Sequence, residues 1–338
     1  MTSYSSLELC AGAGGQARGL ELAGFKHAAL VEIDTHAAAT LRANRPAWRV
    51  IEDDLFTWTP PSDLKGVDLV AGGVPCPPFS HAGLQLGEAD ERNLFDRALE
   101  IVEAVTPRAV MIENVRGLMD PKFERYRNRL LRRLKKNGYL GEWKLLQAAD
   151  YNVPQLRPRS ILVALRADDA RAFEWPKPLP RTRTVGDTLL DLMEANGWDG
   201  ARRWAAQAQH IAPTLVGGSK KHGGPDLGPT RARRAWEVLG VDGRGLADAA
   251  PLPGFTGAPR LTVRMAARLQ GFDDSWTFSG RKTASYRQVG NAFPPPVAQA
   301  VGEAIRKAFE LTDGGASRAQ ISDFGAPAQH ELAVPIGA

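Results

Sequence analysis

Val67-Asp-Leu-Val-Ala-Gly-Gly-Val-Pro-Cys-Pro-Pro-Phe-Ser80 and Arg108-Ala-Val-Met-Ile-Glu-Asn-Val115 are two short apolar runs that end in reactive residues. Each run has the length and composition of a buried strand, and the patterned segment between them, near Leu94–Val105, reads as a helix. Strand, helix, strand with short connections predicts a parallel βαβ unit. In such a sheet the carboxyl ends of neighbouring strands open onto one crevice where ligands bind. The first run delivers the thiol of Cys76, braced by Pro75, Pro77 and Pro78, to that crevice; the second delivers Glu113 and Asn114. A thiol facing a carboxyl suits nucleophilic attack on a ring that must also be protonated.

Working outward, the pattern repeats. Ser6–Cys10, Ala28–Val31 and Ser160–Leu165 read as strands, and Gln16–Ala23, Thr35–Asn44 and Phe123–Lys136 as helices. The fold class is therefore α/β, a doubly wound and mostly parallel sheet covered on both faces. The Phe123–Lys136 segment is strongly basic, yet Phe123, Tyr126, Leu130, Leu131 and Leu134 recur at helical spacing, so it reads as a packed helix with a solvated face. After Arg166, Pro176, Pro178, Pro180 and the glycines from Gly217 to Gly228 interrupt any long periodicity, which predicts a smaller, loop-rich domain to about Pro259. Helices return at Thr262–Gln270, with Thr262 as cap, and at Pro296–Leu311. The expected division is 1–166, 167–259 and 260–311, with a disordered tail over 312–338.

Hydrophobic content of 43%, charged content of 24% and a net charge of +5 are those of a soluble chain that tolerates a polyanionic partner without requiring one. No apolar run spans a bilayer and the first residues lack an export signal, so a cytoplasmic location is expected. The two cysteines, Cys10 and Cys76, give no disulfide framework, and no metal is expected.

Leu9-Cys-Ala-Gly-Ala-Gly-Gly15 joins the first strand to the first helix, where glycines let a ligand approach the backbone. Glu32 ends the second strand, placed to take both hydroxyls of a ribose, and Asp54 follows the third, placed to accept from an exocyclic amine. The spacing departs from G-x-G-x-x-G, which favours a nucleoside without a pyrophosphate.

These motifs and their order resemble the DNA cytosine-5 methyltransferases of bacterial restriction-modification systems. The likeness runs through Glu8–Gly15, Val31-Glu-Ile-Asp34, Pro75–Ser80, Glu113-Asn-Val115 and Gln155-Leu-Arg-Pro-Arg159. It resumes at Arg260–Arg264, Leu269-Gln-Gly-Phe272 and Gln288–Pro295, leaving Ala167–Pro259 as the target-recognition region. The resemblance implies a Rossmann-like, S-adenosyl-L-methionine-dependent fold. It implies Cys76 as nucleophile at cytosine C6, Glu113 as hydrogen-bond donor to N3 and Arg159 as a cation for O2. Arg157 would orient Glu113 or the backbone, and Asn114 would brace the Pro75–Cys76 loop. It places Cys10, Ala11, Gly12, Gly14, Gly15, Glu32, Ile33, Asp54, Leu55, Pro75, Leu94 and Asn291 around the cofactor. Cys10 stands where relatives carry Phe, and Ile33 where an aromatic ring often stacks on adenine. For DNA it implies Ser80, Thr214, Leu215, Ser219, Lys220, Lys221, Arg231 and Arg233, with the target base turned out of the duplex. The implied partner is double-stranded DNA, modified by a monomer, with a cognate restriction endonuclease acting independently or none at all.

Three other readings compete. An RNA (tRNA) cytosine-5 methyltransferase shares the motif order, but about 90 residues of recognition region suit a duplex site. An amino-group methyltransferase shares the Pro-Pro-aromatic core, yet starts it with Asp, Asn or Ser and has no use for Glu113. A silent DNA-binding regulator would have lost the thiol or the carboxyl.

Overall fold

The computed structural model describes residues 3–75, 94–181, 183–218 and 224–315. Seven strands form one sheet: β1 (Tyr4–Leu9), β2 (Phe25–Glu32), β3 (Val50–Glu52), β4 (Leu69–Gly72), β5 (Ala109–Val115), β6 (Tyr139–Gln147) and β7 (Pro158–Arg166). Their order is β3-β2-β1-β4-β5-β7-β6. The first five are parallel. The β6–β7 hairpin closes the sheet with β7 antiparallel to β5. Strand order reverses between β1 and β4, so the crevice opens above Leu9 and Gly72.

Period-two alternation sorts the strand residues between two cores. Leu7, Leu9, Val31, Val70, Val110 and Ile112 pack beneath α3 (Leu94–Val105) and α4 (Glu124–Lys136). Leu69, Ala71, Ala109 and Met111 pack on the opposite face against Leu20 of α1 (Gly15–Leu22) and against α11 (Pro295–Asp313). The basic helix α4 buries Tyr126, Leu130 and Leu134 and pairs Arg129 with Asp96 and Arg133 with Glu103 of α3, as its spacing predicts. Helix α2 (Thr35–Asn44) starts where the Asp34 side chain accepts from the N–H groups of His36 and Ala37.

Beyond α5 (Ala167–Ala172), the segment expected to be loop-rich contains three helices: α6 (Val185–Glu194), α7 (Ala201–Gln207) and α8 (Thr230–Val238). Thr184 caps α6 by accepting from Asp187, a start signal that the surrounding prolines obscure. Val185, Trp204, Leu215 and Trp236 form a third core with α9 (Val263–Leu269) and α10 (Lys282–Asn291). Thr262 caps α9. The last helix runs past the expected start of the tail: Asp313 lies in α11 and accepts from Tyr4 and Arg108, anchoring the helix to the sheet. Residues 316–338 lie outside the described set. No helix among the described residues is long and apolar enough to cross a membrane.

Candidate active site

A cavity of about 460 Å³ opens over the carboxyl ends of β1, β2, β4 and β5. At one end lies the turn from β1 into α1. Gly14 caps α1 in the left-handed region (φ 86°), a conformation that strains L side chains. Gly15 is crowded: a Cβ there would stand 2.2 Å from the Phe293 carbonyl oxygen, so any side chain would push away the Ala292-Phe293 segment that leads into α11. Trp276 pins the same turn by donating from Nε1 to the Ala13 carbonyl at 3.0 Å.

Glu32 is nearly buried, and both of its oxygens are held by backbone. Oε2 accepts from Gly12 N–H and Oε1 from Asp34 N–H, each at 2.7 Å. Burial raises its pKa while the amide bonds oppose the rise. A carboxylate offers about four acceptor positions, so these amides leave room for a ligand hydroxyl. Asp54 accepts from Phe56 N–H, and Leu55 packs below in the core. Ile33 and Phe56, 61% and 43% exposed, are large apolar side chains on the cavity wall. Uncovered apolar surface beside a buried carboxylate suits a nucleoside with a flat base. Cys10, Ala11, Gly12, Pro75, Leu94 and Asn291 also line the cavity, and Gly14 caps the helix behind it. Burial, with the charges of Glu32 and Asp54, pushes the Cys10 thiol pKa upward, so it stays protonated.

Glu113 stands at the other end. Antiparallel pairing puts Arg159 opposite Val115, diagonal to Glu113 on the same face of the sheet. Arg159 Nε donates to Glu113 Oε1 at 2.7 Å. Oε2 points at the loop leaving β4, 3.4 Å from where a Cβ on Gly73 would sit. Burial raises the Glu113 pKa, with Arg159 and then Arg157 opposing. Asn114 donates from Nδ2 to the Val74 carbonyl at 2.9 Å, tying β5 to the segment that leads to residue 76.

Arg157 does different work from Arg159. It is fully buried, and it donates to the carbonyls of Leu215 (2.7 Å), Gly290 (2.8 Å) and Ala292 (3.0 Å). Of the two expected roles, orienting Glu113 or the backbone, its shorter hydrogen bonds go to the backbone, with a longer one to Gln155 Oε1 at 3.4 Å. Gln155 and Gln270 complete this knot and were missed as site residues. Gln155 accepts from Leu215 N–H and donates to Gln270, which donates to Ala292. Both amides sit inside motifs, but nothing in the sequence gives their partners.

The expected DNA contacts divide. Leu215 is 1% exposed and belongs to the third core, so its expected place among the DNA contacts is corrected: burial in that cluster takes its side chain off the surface. The Thr214 hydroxyl donates to the Leu156 carbonyl. Arg231 lies exposed and Arg233 half-buried on α8. Cys76, Ser80, Ser219, Lys220 and Lys221 lie outside the described residues.

Residues 4–307 match the family model for C-5 cytosine-specific DNA methylase. The chain is 57% identical over 328 residues to the type II methyltransferase M.NaeI of Lentzea aerocolonigenes, covering 96% of this chain and 79% of that protein. It is 54% identical over 315 residues to M.NgoMIV of Neisseria gonorrhoeae, covering 91% and 98%. In fold it is similar to a triple mutant of Spodoptera frugiperda DNMT2 (TM-score 0.63, 18% identity, 91% of this chain and 100% of that one). It is also similar to the Entamoeba histolytica methyltransferase EhMeth (TM-score 0.63, 14% identity, 93% and 99%). The chain belongs to the C-5 cytosine-specific DNA methylase family and is a DNA (cytosine-5-)-methyltransferase.

Proposed function

We propose that the protein methylates C5 of a cytosine turned out of a specific duplex DNA site, through a covalent adduct at Cys76, as the modification partner of a type II restriction endonuclease. The observation that carries the reading is the single cavity with the Gly12–Glu32 cradle at one end and the Glu113–Arg159 pair at the other. The donor set fits S-adenosyl-L-methionine: carboxylate oxygens for the ribose, Ile33 and Phe56 for the adenine, and Asp54 for its amine. When bound there, that cofactor supplies an electrophilic methyl group.

The chain's own residues do the rest. The Cys76 thiolate forms a bond to C6 of the base, breaking its aromaticity and making C5 nucleophilic. Charge develops toward N3 and O2 as this happens. Glu113, whose burial favours the protonated form, donates from Oε2 to N3, and Arg159 answers the charge at O2. C5 takes the methyl, a base removes the C5 proton, and the Cys76–C6 bond breaks to return the thiolate. Asn114 and Arg157 hold the loops in register. Residues 1–166 with 260–311 would form the catalytic unit and 167–259 the target-recognition unit, with Arg231 and Arg233 among its phosphate or guanine contacts. The protein would act as a cytoplasmic monomer.

Sequencing of DNA from cells expressing the protein, after chemical or enzymatic discrimination of 5-methylcytosine, tests this. One fully methylated sequence context is expected, and DNA of that context resists the partner nuclease. Unmethylated DNA alongside methylated cytosine in tRNA would overturn it.

A further inference from the structure

We propose that the outer face of α4 is a second DNA-binding surface, a cationic track for the phosphates of duplex flanking the methylated site. The inference rests on the proposed duplex substrate but not on the chemistry at residue 76. Helix α4 carries seven arginines and lysines against one carboxylate, Glu124, and the cations divide by face. Arg129 and Arg133 pair with Asp96 and Glu103 of α3, and Arg127 donates to the carbonyls of Leu118 and Asp120. Arg125, Arg132, Lys135 and Lys136 are exposed, and their side chains make no hydrogen bond or ion pair among the described residues.

Helical spacing keeps Arg125, Arg132 and Lys136 in one stripe about 16 Å long, with Lys135 beside it. A face that served solubility alone would mix both signs of charge. Here Arg132 and Lys136, four residues apart, repel one another. The helix dipole favours cations in the last turn, where Lys135 and Lys136 stand, but disfavours Arg125 in the first. A polyanion laid along the stripe turns each of these costs into attraction. None of the exposed large apolar side chains lies on α4, so the face lacks the apolar centre of a protein interface.

Its place in the fold suits DNA leaving the crevice. From Glu113 and Asn114 at the end of β5 the chain passes through two short 3-10 turns, Arg116–Met119 and Pro121–Phe123, into α4. The bonds from Arg127 to Leu118 and Asp120 fix that connection. Arg116, exposed and also unpaired among the described residues, begins the track beside the site. The helix then leads away from the crevice, because β6 re-enters the sheet parallel to β5. A stripe of this length spans roughly five base-pair rises of about 3.4 Å.

Anisotropy titrations without methyl donor, over a range of salt, test the track with two duplexes carrying the sequence context mapped in cells. One duplex ends at the edges of that context and the other extends well beyond it on both sides. Combining Arg125→Gln, Arg132→Gln, Lys135→Gln and Lys136→Gln should weaken the long duplex about 10-fold or more at low salt and leave the short one unchanged. The slope of log affinity against log salt for the long duplex should become shallower by about 3. Arg125→Lys with Arg132→Lys should bind as the wild type does, since phosphate contact needs the charge and not the fork. Should the fourfold variant melt early, Arg125→Gln with Arg132→Gln carries the test with about half the change in slope. A loss shared equally by both duplexes, a loss in neither, or an unchanged slope would overturn the proposal. A larger loss for tRNA than for the long duplex would also overturn it, reassigning the face to RNA. Binding is read here without turnover, so failure of this comparison and failure of the Cys76 chemistry are separate results.

Discussion

Glu32 and Glu113 are both nearly buried at opposite ends of one cavity, and the structure holds them by opposite means. Glu32 takes a backbone N–H on each oxygen, from Gly12 and Asp34, so its orientation is fixed by the two turns it joins. Among the described residues Glu113 is held only through Oε1, by the guanidinium of Arg159, with Oε2 toward the loop that leads to residue 76. Burial raises the pKa of both. The difference fits the role proposed for each end. Two amide donors keep a carboxylate as a fixed acceptor for ligand hydroxyls, whereas one charged partner and one open oxygen let a carboxyl carry a proton where charge develops.

Mutations can break this division, and the largest effect belongs to the reacting end. Cys76→Ser should lower turnover on the order of 10⁴-fold or more, with cofactor affinity, set by the Glu32 end, unchanged in a binding titration. Glu113→Gln should cost about 10²- to 10³-fold in kcat, again at constant cofactor affinity. The pH sign follows from the raised pKa: the protonated form is the active one, so its contribution is full below that pKa and lost above it. The alkaline decline of the wild-type rate should therefore be missing in the glutamine variant. Glu32→Gln should invert the pattern, weakening S-adenosyl-L-homocysteine roughly 10- to 100-fold while kcat at saturating cofactor barely moves. Equal effects of the Glu32 and Glu113 substitutions on affinity would erase the distinction.

A third buried carboxyl sharpens it further. Glu8 on β1 has neither device: Gln16 donates to Oε2, and Oε1 has no partner. Burial pushes its pKa up to about 7. Because the folded pKa lies above the unfolded one, the stabilisation is complete below the ordinary carboxylate range and is lost as pH rises through about 7. Glu8→Gln should therefore gain about 2 kcal/mol on the wild type between pH 5 and pH 8 in denaturant unfolding. A parallel pH dependence in the two proteins would show that Glu8 titrates normally.

The parts that were legible in the sequence are those set by local pattern. β1, β2, β4, β5 and the helices α2 and α3 follow from apolar runs and helical spacing, and Glu32 could be placed because it ends an apolar run. What sequence could not supply was partnership across the chain. Leu215 looked like a recognition residue beside Thr214, and only tertiary packing shows that it faces the third core. Arg157 and Arg159, two residues apart, looked alike, yet one holds three carbonyls from two distant segments and the other a carboxylate. The helices α6, α7 and α8 were hidden by the density of proline and glycine between them.

The most direct measurement is a trapping experiment on duplex DNA carrying 5-fluorocytosine at the target position, where fluorine replaces the proton that must leave. With methyl donor present, the wild-type protein should form a stable one-to-one adduct that peptide mapping places at Cys76, and Cys76→Ser should form none. Methylation of the ordinary duplex by a protein that never becomes attached to the fluorinated one, or attachment at another residue, would contradict the account.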